Sequence, residues 1–234
     1  MNYEQSTYET RNVKTPLEEL FCLVQQACGS SRRTNQTDLF QRSEQAVLFC
    51  WAKHRKRFIS YGKFARTLTE TYESHEGGDE HDTFTSIKDS HGIIFKLTKS
   101  NNGYGARANL KDYLENLWFS NYIFYDSIDV VSIIGRQKKI NKLAKIFISQ
   151  PLVDGQPASV AEIERYMKSL GFIYEGRNVY KHPCGTKIVD ARPDNVFISA
   201  TKEVFPIDVQ ILHGDRFIHL QLLYLLKSRY RVPQ

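Results

Sequence analysis

The sequence predicts an α+β fold in which a block of antiparallel strands lies between two helical regions. Apolar residues recur at helical spacing from Pro16 to Cys28. The pattern then changes to alternating, often β-branched residues over 81–88. A capping box formed by Ser159 and Glu162 begins another helix. These observations together predict a small sheet flanked by helices.

The first part of the chain predicts a tail followed by helices. Residues 1–15 are polar and show no periodicity. Helices are predicted over 16–28 and 40–56, and weaker helical spacing continues over 58–72. We therefore expect residues 1–72 to form an N-terminal tail and a helical extension.

The middle of the chain, residues 73–150, contains the predicted strands. The first two strands form a hairpin, because a polar turn that ends in glycine separates them. A helix with one apolar face follows, and two further strands come after it. In chain order these elements are a strand over 81–88, a strand over 93–97, a helix over 110–121, and strands over 130–135 and 145–149. We expect this region to fold as one small antiparallel lobe.

The last part, residues 151–234, is predicted to be a reduced, mainly helical lobe around a polar loop. The helix that starts at the capping box ends at Gly171, because glycine readily adopts the conformation that terminates helices. Residues 211–230 are apolar and predict a second helix that packs beneath the loop. Short strands lead into the loop around Phe172, Val179 and Lys187.

The composition is typical of a water-soluble globular protein, since 41% of the residues are hydrophobic and 25% are charged. No apolar run approaches the roughly 18 residues that a membrane span requires. The N-terminus lacks the basic and then apolar pattern of a signal peptide. The four cysteines show no Cys-x-x-Cys spacing, which favours reduced thiols. We therefore expect a cytoplasmic protein without a membrane partner.

The net charge is +6, and much of the excess is local. Short basic runs are usually solvated surface. Their functional alternative is attraction of a polyanion, either nucleotide phosphates or nucleic acid, and mild basicity does not separate these two. The basic clusters lie at 32–33, 53–57, 136–145 and 227–231.

Three polar residues predict a metal site in the last quarter of the chain. Asn195 lies five residues after Asp190, and Asp208 lies thirteen residues after Asn195. Each stands beside apolar sequence, as residues at the ends of short buried strands do. Magnesium prefers one or two protein oxygens and completes its octahedron with water and phosphate. The spacing therefore predicts a magnesium–phosphate site.

The stretch Asp190-Ala-Arg-Pro-Asp-Asn195 resembles the Asp-Leu-Lys-Pro-Glu-Asn catalytic loop of protein kinases, and Asp208 matches the Asp of their Asp-Phe-Gly motif. The closer resemblance is to the small kinase-like domains of polyvalent proteins from phages and mobile elements. It covers about residues 75–212 and rests on the order of several short motifs. These motifs are Gly78-Asp-Glu80-His81, Lys96-Leu-Thr98, Tyr113-Leu-Glu115, Ser149-Gln-Pro151 and Pro206-Ile-Asp208.

The resemblance implies a compact, two-lobed, protein-kinase-like fold with 73–150 as N-lobe, 151–234 as C-lobe and the helical extension before them. It also implies ATP- and magnesium-dependent phosphoryl transfer to a hydroxyl acceptor. In that scheme Lys96 and Glu115 form an ion pair that positions the nucleotide phosphates. Gln150 lies where the hinge backbone meets adenine.

The resemblance assigns the remaining roles to the polar loop. Asp190 is the general base or the group that orients the acceptor hydroxyl, and Asn195 and Asp208 bind magnesium. Arg192 replaces the lysine of the kinase loop and can hold the transferred phosphoryl group with two hydrogen bonds. An ion pair with Asp194 is a second interpretation of Arg192.

Two of the nucleotide-binding residues also have a purely structural interpretation. Lys96 can be a strand-end lysine whose charged group lies in water, and Glu115 can be a surface carboxylate. Lys99 is the rival of Lys96 for the role of phosphate-binding lysine. Val209 and Gln210 replace the kinase Phe-Gly, and the His-Arg before the catalytic Asp is also missing. These departures favour an inactive, nucleotide-binding pseudokinase as one alternative function.

A basic nucleic-acid-binding protein is a second alternative function, and nucleotidyl transfer is a third. The acceptor is open between a protein, a small molecule and a nucleic acid, because acceptor specificity lies in the loops and C-lobe that are reduced here.

Overall fold

The computed structural model describes residues 14–28, 37–76, 78, 80–88, 92–99, 104, 109–136 and 143–212. The helices in these ranges are α1 (Pro16–Cys28), α2 (Thr37–His54), α3 (Tyr61–Thr71), α4 (Leu110–Phe124) and α5 (Val160–Ser169), with a 3-10 turn at Pro193–Asn195. The strands are β1 (Phe58–Ser60), β2 (Tyr72–His75), β3 (His81–Ser86), β4 (Ile93–Thr98), β5 (Asp129–Gly135), β6 (Lys145–Pro151), β7 (Gly155–Pro157), β8 (Ile173–Gly176), β9 (Val179–Lys181), β10 (Lys187–Val189), β11 (Val196–Ser199), β12 (Val204–Pro206) and β13 (Gln210–Leu212).

The largest sheet has six strands in the order β1-β5-β6-β4-β3-β2. Its neighbours are antiparallel except for β1 and β5, which are parallel. The predicted hairpin, helix and strand pair are confirmed as β3, β4, α4, β5 and β6. Helix α4 follows β4 in the chain and precedes β5, so it links two strands that do not pair with each other.

The part of the chain after residue 151 forms two smaller sheets, with strand orders β13-β10-β9-β8 and β12-β11-β7. The predicted capping box is confirmed, because the Ser159 side chain accepts from the Glu162 amide at 3.3 Å and the Glu162 carboxylate accepts from the Ser159 amide at 2.8 Å. The predicted helix over 211–230 is wrong at its first two residues, which lie in β13. Its remaining residues lie outside the described ranges.

The N-terminal helices pack against the six-stranded sheet. The first predicted helix is confirmed as α1, and the second as α2. The predicted weak helix over 58–72 consists of β1 followed by α3. Its first residues form a strand because they pair with β5, far along the chain. The predicted boundary at residue 73 falls inside β2 and stays a prediction.

One apolar core joins α1, α2, α4 and the strands β5 and β6. Its fully buried members come from all of these elements, so the N-terminal helices share their core with the sheet. They include Leu17, Leu20, Leu48, Leu110, Leu114, Val130 and Ile146. No helix among the described residues has both the length and the hydropathy of a membrane span.

Glu44 of α2 fixes the first turn of α4. Its carboxylate is buried and accepts hydrogen bonds from the amides of Leu110 at 3.2 Å and Lys111 at 3.0 Å. These amides have no partner inside the helix, and a carboxylate near a helix N-terminus is favoured by the helix dipole. Burial raises the pKa of Glu44 above its usual range. The contact fixes α4 relative to α2.

Replacing Glu44 with alanine should lower the free energy of unfolding by about 1–3 kcal/mol, because two buried amides lose their acceptor. Glu44→Gln should lose less, since one acceptor oxygen remains. Urea denaturation followed by circular dichroism measures the difference. Glu70→Ala, at an exposed carboxylate of α3, is the control and should change stability by less than about 0.5 kcal/mol. A Glu44→Ala protein as stable as this control would contradict the capping role.

Candidate active site

Strand pairing brings the two predicted aspartates to one place. Strand β10 pairs antiparallel with β13, with Val189 opposite Gln210. Asp190 follows β10 directly, and Asp208 precedes β13 by two residues. Both aspartates therefore lie at the same end of this two-stranded ladder.

A second pairing brings Asn195 to the same end. Strands β11 and β12 pair with Val196 opposite Pro206, and the amide of Ile207 donates to the carbonyl of Asn195 at 2.9 Å. Asn195 is thus bonded to the residue that precedes Asp208. The structure brings together all three residues of the predicted magnesium site.

Asp190 and Asn195 are also bonded directly to each other. The side-chain amide of Asn195 donates to a carboxylate oxygen of Asp190 at 2.8 Å and to its carbonyl at 2.9 Å. Asp190 adopts the left-handed conformation, with φ of 61°. Non-glycine residues rarely adopt this conformation, and Asp is one of the few that tolerate it. The loop therefore holds the Asp190 carboxylate in a defined orientation.

Arg192 lies beside both carboxylates of the loop. Its Nε is 3.3 Å from Asp190 Oδ1 and 3.1 Å from Asp194 Oδ1. The pairing with Asp194, left open by the sequence, is therefore present. Half of the Arg192 side chain remains exposed. Its guanidinium is within reach of a group bound at Asp190.

Lys96 connects the six-stranded sheet to the Asp208 segment. Its side chain is buried, and its Nζ lies 3.8 Å from Asp208 Oδ1 and 3.4 Å from the carbonyl of Ile207. Its rival Lys99 instead donates to the carbonyl of Gly78 at 2.6 Å. Of the two lysines, Lys96 is the one that the structure brings to the site.

Helix α4 contributes polar residues to a small cavity beside Lys96. Tyr113, Asn116 and Ser120 line a small cavity together with Lys96, and Glu115 is not among its lining residues. At 100° per residue, Glu115 points about 200° away from Tyr113 on the helix. The structure does not bring Glu115 to this cavity, and its ion pair with Lys96 stays a prediction. The signal that identifies Asn116 is a polar stripe at helical spacing through Tyr113 and Ser120.

A buried histidine and a buried tyrosine also line the small cavity beside Lys96. His81 Nε2 lies 3.1 Å from the hydroxyl of Tyr113. Burial, together with the positive charge of Lys96, lowers the pKa of His81 to about 4. Burial raises the pKa of Tyr113. Both groups are therefore uncharged at neutral pH, which favours a structural role for His81.

A second cavity, of about 250 Å³, lies where the end of β6 meets the β11–β12 hairpin. Gln150 and Ile207 line both cavities, and the side-chain amide of Gln150 donates to the Ile207 carbonyl at 3.4 Å. Gln150 is buried, so its side chain bridges the six-stranded sheet and the Asp208 segment. The other lining residues are Tyr125, Asp126, Pro151, Leu152, Val153, Asp154, Ser199 and Phe205.

Asp126 is a cavity-lining residue that the sequence does not reveal. Its buried carboxylate lines the second cavity and accepts a hydrogen bond from the hydroxyl of Ser120. Burial raises the pKa of Asp126 to about 7, although the Ser120 hydrogen bond and the charge of Lys96 lower it. Nothing in the sequence distinguishes Asp126 from a loop aspartate, because its burial depends on tertiary packing.

A family model described as a serine/threonine/tyrosine kinase found in polyvalent proteins matches residues 41–213. The chain belongs to this family. The predicted resemblance and the predicted α+β, kinase-like fold class are thereby confirmed. Membership of this family makes the protein a kinase-like phosphotransferase by class. The matched range includes every predicted site residue. No curated protein matches the chain significantly.

The side chains at this site are of a kind that could hold a divalent cation. Among the described residues, the two hydrogen bonds of the Asn195 side chain both use its amide nitrogen, so its amide oxygen could act as a metal ligand. The carboxylate of Asp208 is about half exposed, with 52% of its side chain accessible. One amide oxygen and one carboxylate, beside open solvent, are ligands of the kind that magnesium takes.

The protein should lose stability between about pH 4 and pH 7 because of Asp126. The unfolded carboxyl releases its proton near its usual pKa of 3.8, whereas the folded one keeps it up to about 7. In this window the folded state binds more protons, so the free energy of unfolding falls as the pH rises, by at most about 1.4 kcal/mol per pH unit.

The variant Asp126→Asn should remove this contribution. Urea denaturation at pH 5, 6, 7 and 8 measures it as the difference in unfolding free energy between the variant and the wild type. That difference should move in favour of the variant from pH 5 to pH 7 and then level off. Parallel curves for the two proteins would show that Asp126 ionises with an ordinary pKa.

Proposed function

We propose that this kinase transfers a phosphoryl group from ATP to a hydroxyl acceptor in a magnesium-dependent reaction. The observation that carries the proposal is the convergence of Asp190, Asn195 and Asp208 at one end of two strand pairs, with Lys96 contacting Asp208. Phosphoryl transfer depends mainly on positioning and charge neutralisation, which such a cluster provides.

Asn195 and Asp208 are the proposed magnesium ligands. Bound magnesium would neutralise charge on the phosphate oxygens. Lys96 is close enough to Asp208 to hold its carboxylate and has a buried stem that directs its ammonium group to the same place. It is the proposed partner of the nucleotide phosphates, as a compact positive charge.

Asp190 is the proposed catalytic residue that orients the acceptor hydroxyl and receives its proton. One of its carboxylate oxygens accepts from Asn195, and the other faces Arg192. Arg192 keeps further N–H groups that can donate to the transferred phosphoryl group. In this proposal the acceptor hydroxyl lies beside Asp190, and the transferred phosphoryl group lies beside Arg192.

The purine base is proposed to bind beside Gln150, at the cavity near the end of β6. This cavity is largely apolar and has a few polar groups, as small-molecule sites usually do. Glu115 is kept as the proposed partner of Lys96. The division of the chain into an extension (1–72), an N-lobe (73–150) and a C-lobe (151–234) is likewise kept as a proposal.

The experiment that tests the proposal is incubation with γ-labelled and with α-labelled ATP, with the mass of each product measured. Transfer of the γ label alone supports phosphoryl transfer. Transfer of the α label identifies nucleotidyl transfer. Magnesium-dependent ATP binding without either transfer identifies a pseudokinase. Salt-sensitive binding of DNA or RNA without an effect of nucleotide identifies a nucleic-acid-binding protein.

Asp208→Ala should abolish magnesium-dependent ATP binding, because the variant loses the only charged ligand proposed for the cation. A thermal-shift titration with ATP in the presence and absence of magnesium measures this loss. Glu164→Gln, at an exposed carboxylate of α5, is the control and should bind as the wild type does. An Asp208→Ala protein with an undiminished magnesium effect would exclude this ligand.

Asp190→Ala should keep ATP binding and lower turnover by roughly a hundredfold to ten-thousandfold, the range of general acid–base catalysis. Single-turnover transfer of the γ label measures the rate. The same Glu164→Gln control should keep its rate. Full turnover in Asp190→Ala would remove Asp190 from the catalytic role.

A further inference from the structure

Within the part of the chain that the structure describes, strand β13 is the edge strand of its sheet, and one of its amides donates to a group outside the sheet. The amide of Ile211 donates to the side-chain oxygen of Asn116 on α4, at 2.7 Å. Ile211 is buried, with 2% of its surface exposed. A buried amide without an acceptor costs about 1–3 kcal/mol. Asn116 therefore supplies an acceptor for this buried amide from outside the sheet.

A second contact holds the preceding residue. The side-chain amide of Gln210 donates to the carboxylate of Glu80 at 3.2 Å, just before β3 begins. The first two residues of β13 are thus hydrogen-bonded to two different places outside their own sheet. Gln210 is bonded to Glu80, just before β3, and Ile211 is bonded to Asn116 on α4. Gln210 and Ile211 lie only two and three residues after Asp208.

Asp208 is consequently held on both sides along the chain. On its N-terminal side, Ile207 is bonded to Asn195, the other proposed magnesium ligand. On its C-terminal side, Ile211 is bonded to Asn116. The carboxylate itself is half exposed, so the backbone contacts, rather than burial of the side chain, set its position. Metal sites require ligands held to within about 0.5 Å.

We propose that Asn116 is a positioning residue for Asp208. Its side-chain oxygen fixes β13 against α4 and so sets where the Asp208 carboxylate meets a magnesium–nucleotide ligand. This inference rests on the proposed function. Asn116 lies one residue after Glu115, which stays the proposed partner of Lys96.

The test compares matched variants on one helix. Asn116→Leu keeps the approximate size of the side chain and removes the acceptor. Asn121→Leu is the control, because the Asn121 side chain also accepts from a backbone amide, that of Ile128 at 2.6 Å, but in the loop after α4. Both variants should be destabilised, and only Asn116→Leu should affect Asp208.

Two measurements follow. Titration of magnesium at a fixed concentration of a non-hydrolysable ATP analogue gives the apparent magnesium affinity, which should fall about tenfold in Asn116→Leu and stay near the wild-type value in Asn121→Leu. Amide hydrogen exchange by NMR, without nucleotide, should be faster at Ile211 in Asn116→Leu than in Asn121→Leu. Asn116→Asp, which keeps the acceptor oxygen, should restore protection of the Ile211 amide.

The outcomes separate the two proposals. A wild-type protein that binds no magnesium–nucleotide overturns the proposed function and this inference with it. A wild-type protein that binds, with an unchanged magnesium affinity in Asn116→Leu, overturns the inference alone. Equal losses of affinity in Asn116→Leu and Asn121→Leu also overturn it, because they show a general effect of stability. Loss confined to Asn116→Leu, with Ile211 exchange restored by Asn116→Asp, supports it.

Discussion

The pairing of β10 with β13 is the constraint on which the candidate site depends. Each strand has only three residues, so the ladder gains little stability from its own hydrogen bonds. Its register is fixed instead by burial, because Ile188 and Ile211 lie opposite each other and both belong to the core. A slip of β13 by one residue would turn the side chain of Ile211 away from the core. The same register keeps Asp190 and Asp208 at one end of the ladder.

This pairing also accounts for residues that differ from the protein-kinase pattern. Ile188 and Val189 occupy the positions of the kinase His-Arg, and β-branched residues suit a strand that is partly buried. Val209 and Gln210 occupy those of Phe-Gly; Val209 is buried in the core, and Gln210 pairs with Val189. The substituted residues therefore build the ladder that holds the aspartates.

The sequence predicts those elements whose structure depends on residues that are close together in the chain. Helix α1, the capping box and the β3–β4 hairpin follow from periodicity and turn chemistry. The order of short motifs predicts Asp190, Asn195 and Asp208 as site residues. Strand β1 was not predictable, because its partner β5 lies far along the chain. The choice between Glu115 and Asn116 depends on the rotation of α4, which packing against α1 and the sheet determines. An apolar segment such as β13 can form either a strand or a helix. Its secondary structure is therefore determined by the strand with which it pairs.

The buried carboxylate of Glu44 has a consequence for how this protein is organised and how it can diverge. Helix α4 begins on an acceptor supplied from α2, and the amide of Leu17 in α1 donates to Asp129 in β5 at 3.2 Å. The N-terminal helices are therefore not a detachable appendage. A shorter relative that dispensed with them would need a new acceptor at the start of α4 and a new cover for its apolar face. We expect the helices and the lobe to fold together, as one cooperative unit.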